Sequence, residues 1–214
     1  IVALIALPTD SVKAEVARGE VIWEAETEYQ YARVVEREDK SRILELNEGH
    51  AIHSRYEPGR YLTGGYWDEM LALTLAGGDT PDSVAILGSA AGTTARQIGH
   101  YLPSTRVDAV EIDPAVTQVG RDLFDLRGPN LHTHDADARP WLAASDDTFD
   151  VIMVDAYRQP YIPFYLTTQE FFTEVRSHLA PGGVLVLNSA HPEGRTRWRR
   201  RSQRPCGRSS GPTR

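Results

Sequence analysis

Sulfur is scarce in this chain. One cysteine, Cys206, and two methionines occur in 214 residues, which excludes an internal disulfide framework and any cysteine-rich metal centre. Long apolar runs are missing too. The longest, Ile1–Leu7, has seven residues before Pro8, well short of the roughly 20 that a membrane-spanning helix needs. No basic leader or cleavage site for a signal peptide accompanies it, and the chain does not open on methionine. Two readings of this start stay open: the exit of a membrane helix lying upstream in a longer protein, or a buried strand. Acids are absent from the other end. None follows Glu193, whereas eight arginines fall between Arg195 and Arg214, so the net charge of −7 conceals a body of fifteen bases against thirty acids. A body that acidic repels nucleic acid and attracts small cations. The Arg-rich end has no apolar period and is expected to be disordered. It fits a nucleic-acid-binding arm or a non-native end, and the abrupt change of texture favours the second, so no nucleic-acid partner is expected.

What is present is ordinary for a globular domain: 41% apolar and 25% charged residues, in a length that suits one domain with a small appendage. Residues 1–19 read as an apolar segment and linker. Over 20–60 the pattern has period two, with strand-like runs at Val21–Trp23, Tyr29–Val35 and Arg42–Leu46, which predicts a small antiparallel sheet. Asp68–Ala76 reads as a helix ahead of Gly77-Gly78. From there strands are expected at Val84–Leu87, Val107–Glu111, Leu131–His134, Val151–Asp155 and Val184–Leu187. Helices are expected between them at Thr94–Tyr101, Pro114–Phe124, Arg139–Ala144 and Thr168–Leu179, with Pro181-Gly182-Gly183 as a sharp turn. Such alternation predicts an α/β fold over 61–190, a doubly wound and mostly parallel sheet with right-handed crossovers. The tail 191–214 stands apart.

The most informative stretch is Val84-Ala85-Ile86-Leu87-Gly88-Ser89-Ala90-Ala91-Gly92-Thr93-Thr94. An apolar strand stops at a small-residue loop that opens a helix, where backbone can approach a ligand. Glu111 ends the next strand 23 residues after Gly88, a placement suited to accepting both ribose hydroxyls. A nucleoside-binding α/β domain is therefore expected. Ligands of open α/β sheets bind beyond the carboxyl ends of the strands. The acids there are Glu111, the Asp135/Asp137 pair and Asp155, which follows the apolar run Val151–Val154. Burial would raise the pKa of Asp155 and fit it to take a proton from an ammonium. His132, His134, Asp135 and Asp137 also invite a metal reading, but nothing completes a ligand set, and no metal is expected.

These residues resemble the spermidine synthase-like (polyamine aminopropyltransferase) branch of the class I S-adenosylmethionine-dependent transferase fold. The likeness runs from about Glu28 to Asn188. It is carried by Glu111-Ile112-Asp113, Asp137-Ala138-Arg139, Phe149–Asp155, Glu170-Phe171-Phe172 and Pro181–Leu185. The resemblance implies that Glu111 holds the ribose and Asp137 the adenine, with Ile112 and Ala138 also binding the cofactor, and Gly88, Ser89, Ala91 and Gly92 as the backbone around the sulfonium. It implies that Gln30 contacts the nucleoside ligand and that Asp155 is the catalytic base. The co-substrate implied is decarboxylated S-adenosylmethionine, whose aminopropyl group passes to an amine such as putrescine, in the cytoplasm and without a metal. Homodimerisation and an upstream membrane segment are compatible with it.

Three amine-site positions depart from the family. Ala91 stands where the family has an aspartate, Arg158 where it has a second acid after the catalytic one, and Trp67-Asp68 where a tyrosine and polar partner precede Glu69-Met70. Asp68 is a candidate to compensate. The terminal antiparallel hairpin of this fold is also missing from the sequence pattern. Two alternatives follow: a methyltransferase using intact S-adenosylmethionine, with Arg158 pairing the cofactor's carboxylate, or a truncated nucleoside-binding module without catalysis.

Overall fold

The computed structural model describes residues 18–47, 51–157 and 162–189; the expectations for Ile1–Leu7, Arg158 and the Arg-rich end lie outside these residues. Two sheets organise it. The first is an antiparallel meander of β1 (Glu20–Glu26), β2 (Tyr31–Glu36), β3 (Arg42–Leu46) and β4 (Ile52–Tyr56). The period-two pattern predicts the first three. β4 was not expected, because Ile52-His53-Ser54-Arg55-Tyr56 mixes polar and apolar residues and its pairing with β3 is interrupted by a register shift.

The second sheet contains β5 (Ser83–Leu87), β6 (Arg106–Glu111), β7 (Leu131–Asp135), β8 (Phe149–Val154) and β9 (Leu179–Leu187). Its order is β7-β6-β5-β8-β9, with every pair parallel. The chain winds one way from β5 and then the other, so the strand ends diverge beside Gly88. Helices α1 (Tyr66–Leu73), α2 (Thr93–Tyr101), α3 (Pro114–Leu123), α4 (Ala138–Ala143) and α5 (Gln169–Ser177) join them. α1 starts two residues earlier than its sequence suggests. α5 ends at Ser177, because Leu179 already pairs with Phe149 in β9. Pro181-Gly182-Gly183 is thus a bulge within β9, where a Cβ on Gly183 would meet the Phe149 carbonyl oxygen at 3.0 Å. Pairing resumes at Val151↔Val184. Among the described residues β9 forms the sheet's edge.

Alternation along β5 builds the core. Val84 and Ile86 pack with Met70 and Ile98 on one face, while Ala85 and Leu87 pack with Leu142 and Phe171 on the other. The antiparallel sheet lays Ala32, Val34, Leu44 and Leu46 against Val116 and Val119 of α3 and against Phe124, which follows it. Buried apolar surface of this kind is the main force fixing one sheet on the other. Among the described residues, no helix is long and apolar enough to cross a membrane.

Candidate active site

Parallel register brings the ends of five strands level. Leu87 lies between Val110 and Val154, Glu111 is opposite Asp135, and Val154 is opposite Leu187. Gly88, Glu111, Asp155 and Asn188 therefore emerge along one rim. Above it a cavity encloses about 970 Å³, its solvent-open mouth included, enough for a nucleoside-sized ligand. Gln30, Gly88, Glu111, Ile112, Asp137, Ala138 and Asp155 all line it.

Ser89, Ala91 and Gly92 do not line the cavity, although they belong to the same loop. Ala91 is fully buried, and its N–H donates to Ser54 Oγ at 2.9 Å. The Ser89 N–H donates to the Val110 carbonyl at 3.0 Å. Gly92 has φ +86°, and a Cβ there would come within 2.2 Å of Leu126, so its missing side chain makes room for core rather than for a ligand. Gly88 is the position of close approach: φ is +93° and a Cβ would sit 2.6 Å from the Ala156 backbone. Ala90, with a left-handed φ of 46°, lines the cavity instead.

The acids differ in their surroundings. Glu111 accepts from the backbone N–H of Ala90 at 2.8 Å and of Asp113 at 3.0 Å. Burial outweighs those donors and pushes its pKa up to about 7. Asp137 caps α4 by accepting from the Arg139 N–H, and its other oxygen accepts from the Tyr165 hydroxyl at 3.1 Å. Asp155 accepts from Asn188 Nδ2 at 2.7 Å and from the Tyr66 hydroxyl at 3.1 Å. Burial raises its pKa to about 6, against the lowering by Asn188 and Tyr66. Tyr66 itself is held far above the usual phenol range, chiefly by burial and then by the Asp155 charge.

Gln30 arrives on the β1–β2 loop, which Asp113 holds. This residue caps α3 through the Ala115 N–H and accepts from Thr27 Oγ1 at 2.7 Å. It also accepts from Gln30 Nε2 at 3.4 Å. One carboxylate thus starts a helix and anchors the hairpin over the cavity.

Asp68 does not compensate for the altered amine-site positions. Its carboxylate accepts from the backbone of Thr63 and Gly64 and from Gln97 Nε2 at 2.7 Å, a structural task away from the cavity. Trp67 is buried. His134 is tied to Asp108 at 2.8 Å, and among the described residues no three His, Cys, Asp or Glu side chains are grouped to hold a metal.

Sequence reasoning missed Tyr66, Asn188, His53, Ala90 and Tyr165. A signal existed for Asn188: it follows the fifth parallel strand as Asp155 follows the fourth, so level strand ends make them neighbours. Nothing in the local sequence marks Tyr66, which meets Asp155 across 89 positions.

The strand order, the glycine turn and an acid ending the second strand of the parallel sheet define a class I methyltransferase-like α/β fold. Within that class, the chain belongs to the spermine/spermidine synthase domain family, which matches residues 66–208. A probable polyamine aminopropyl transferase of Bifidobacterium longum is 42% identical over 166 residues, covering 78% of this chain and 36% of that protein. The chain thus spans little more than a third of that relative. Among solved structures, a probable spermidine synthase from Corynebacterium glutamicum has a TM-score of 0.69 at 24% identity, covering 78% of this chain and 63% of its own. A spermidine synthase in complex with the transition-state analogue AdoDATO has a TM-score of 0.62 at 20% identity, covering 74% and 54%. At these identities the structural likeness establishes the fold.

Proposed function

We propose that the protein is a cytoplasmic aminopropyltransferase, moving an aminopropyl group from decarboxylated S-adenosylmethionine to a small aliphatic amine such as putrescine. The observation that carries this reading is Asp155: a buried carboxyl with a raised pKa, fixed by Tyr66 and Asn188, in the same cavity as Gln30, Glu111 and Asp137. In this reading Glu111 takes the ribose hydroxyls through lone pairs that the Ala90 and Asp113 N–H groups leave free, and Ile112 and Ala138 border the base. The 20–60 region acts as a wall that supplies Gln30, and 61–190 as the catalytic unit.

The chemistry is a substitution at carbon. Asp155 accepts one proton from the substrate ammonium, and the freed amine attacks the methylene carbon next to the sulfonium. The C–N bond forms as the C–S bond breaks, and neutral methylthioadenosine leaves. The new secondary amine retains the positive charge. Since the sulfonium is already activated, the protein's share is alignment, deprotonation and exclusion of water. The methyltransferase alternative drew on Arg158, which lies outside the described residues.

Calorimetry distinguishes the readings. Tighter binding of decarboxylated than of intact S-adenosylmethionine is expected, because the cavity lining carries Glu28, Glu111, Asp137 and Asp155 and no lysine or arginine among the described residues. A preference for the carboxylated form contradicts the proposal.

A further inference from the structure

His53 occupies an irregular point of β4. Ile52 pairs with Glu45 and Ser54 with Leu44, so His53 is the extra residue of a β-bulge. Bulges turn one side chain away from the direction that regular alternation would give it. The chain beyond the bulge is held: Ser54 Oγ accepts from the Ala91 N–H, and the Arg55 N–H donates to Thr93 Oγ1. His53 itself lines the cavity. Its Nε2 is buried and has no hydrogen-bond partner among the described residues. A buried polar atom in that condition calls for a reason. Burial alone pushes the ring's pKa down to about 4, so at neutral pH the imidazole is uncharged and a lone pair is available for a donor.

We propose that His53 is a specificity-determining residue whose Nε2 accepts a hydrogen bond from the ammonium end of an aliphatic amine chain bound in the cavity. The inference rests on the aminopropyl-transfer reading and deepens it. A neutral ring suits a cationic ligand, since it accepts a charge-assisted hydrogen bond and adds no repulsion. An ammonium is also much less acidic than this imidazolium, so the proton stays on the ligand. The acid expected to meet such an ammonium is absent at Ala91, which is buried and tied to Ser54, the neighbour of His53. The bulge thus offers a neutral acceptor beside the loop where a carboxylate is missing.

The test compares wild type, His53→Leu and His53→Gln by calorimetry with methylthioadenosine, which lacks an amine, and with decarboxylated S-adenosylmethionine, followed by the KM for putrescine. Methylthioadenosine should bind all three proteins within about threefold, which also reports that they fold. If the donor's arm is the partner, His53→Leu should bind decarboxylated S-adenosylmethionine about tenfold more weakly, as loss of a hydrogen bond to a charged group requires. If the acceptor amine is the partner, that affinity stays and the putrescine KM rises about tenfold. In either case His53→Gln, which keeps an acceptor, should recover most of the loss. His53→Leu should also melt higher, by about 2–4 °C, because it removes an unsatisfied buried nitrogen. Equal weakening toward methylthioadenosine, or no change toward either amine, overturns the role of His53. Wild type that binds neither nucleoside overturns the underlying functional reading instead.

Discussion

Asp155 is held by two donors that act on its acidity in the same direction and against its burial. Removing either donor should therefore raise its pKa further above about 6. Tyr66→Phe and Asn188→Ala are expected to move the acid limb of the kcat/KM profile to higher pH, Asn188→Ala the more, since its bond has the larger lowering effect. The sign is fixed by the base role: Asp155 must be ionised, so activity rises with pH through its pKa and is lost below it. A pH–rate profile whose acid limb stays in place in both variants would dissociate Asp155 from proton transfer. What each acid does was only partly legible in the sequence. The strand-end position of Asp155 is readable, but its hydrogen-bond partners arrive from α1 and from the residue after β9, whose level depends on the whole sheet.

At the scale of elements, the glycine loop and the β1–β2 hairpin fix the cavity. Gly88→Ala would drive a Cβ to 2.6 Å from the Ala156 backbone at φ +93°, and a backbone wall cannot yield as a flexible side chain can. A loss of about 2–4 kcal/mol in urea unfolding is expected. Thr27→Val removes the 2.7 Å bond to Asp113 while leaving the α3 cap intact. It should cost about 1–2 kcal/mol and weaken methylthioadenosine binding through displacement of Gln30, as calorimetry would record. These elements also mark where sequence reading works. Val84–Gly88 is apolar, β-branched and ended by glycine, so strand and turn were legible. Gly92 faces Leu126 rather than the cavity, and nothing in its own stretch announces a neighbour 34 positions later. β4 escaped because its bulge breaks the alternation by which strands are found, and that same bulge turns His53 into the cavity.

For the whole molecule, two carboxyls with raised pKa values make stability depend on pH. Asp155 and Glu111 titrate near 6 and 7 in the folded protein, against 3.8 and 4.5 in an unfolded chain. Between those limits the folded state binds more protons, so the contribution is present at the acid end and lost as pH rises toward 7. Urea unfolding of the ligand-free protein should show stability falling between about pH 4.5 and 7. The double variant Asp155→Asn/Glu111→Gln should flatten that slope. An unchanged slope would mean that these carboxyls are not buried as described. The acidic body adds a longer-range effect, since its field favours small cations over anions.

The most direct test of the account is release of methylthioadenosine from decarboxylated S-adenosylmethionine and putrescine, measured for wild type and Asp155→Asn together with methylthioadenosine affinity. Wild type should turn over, the variant should fall about 10²- to 10⁴-fold, and its nucleoside binding should stay within about threefold of wild type. Turnover in Asp155→Asn equal to wild type, or none in a wild-type protein that binds the nucleoside, would contradict it.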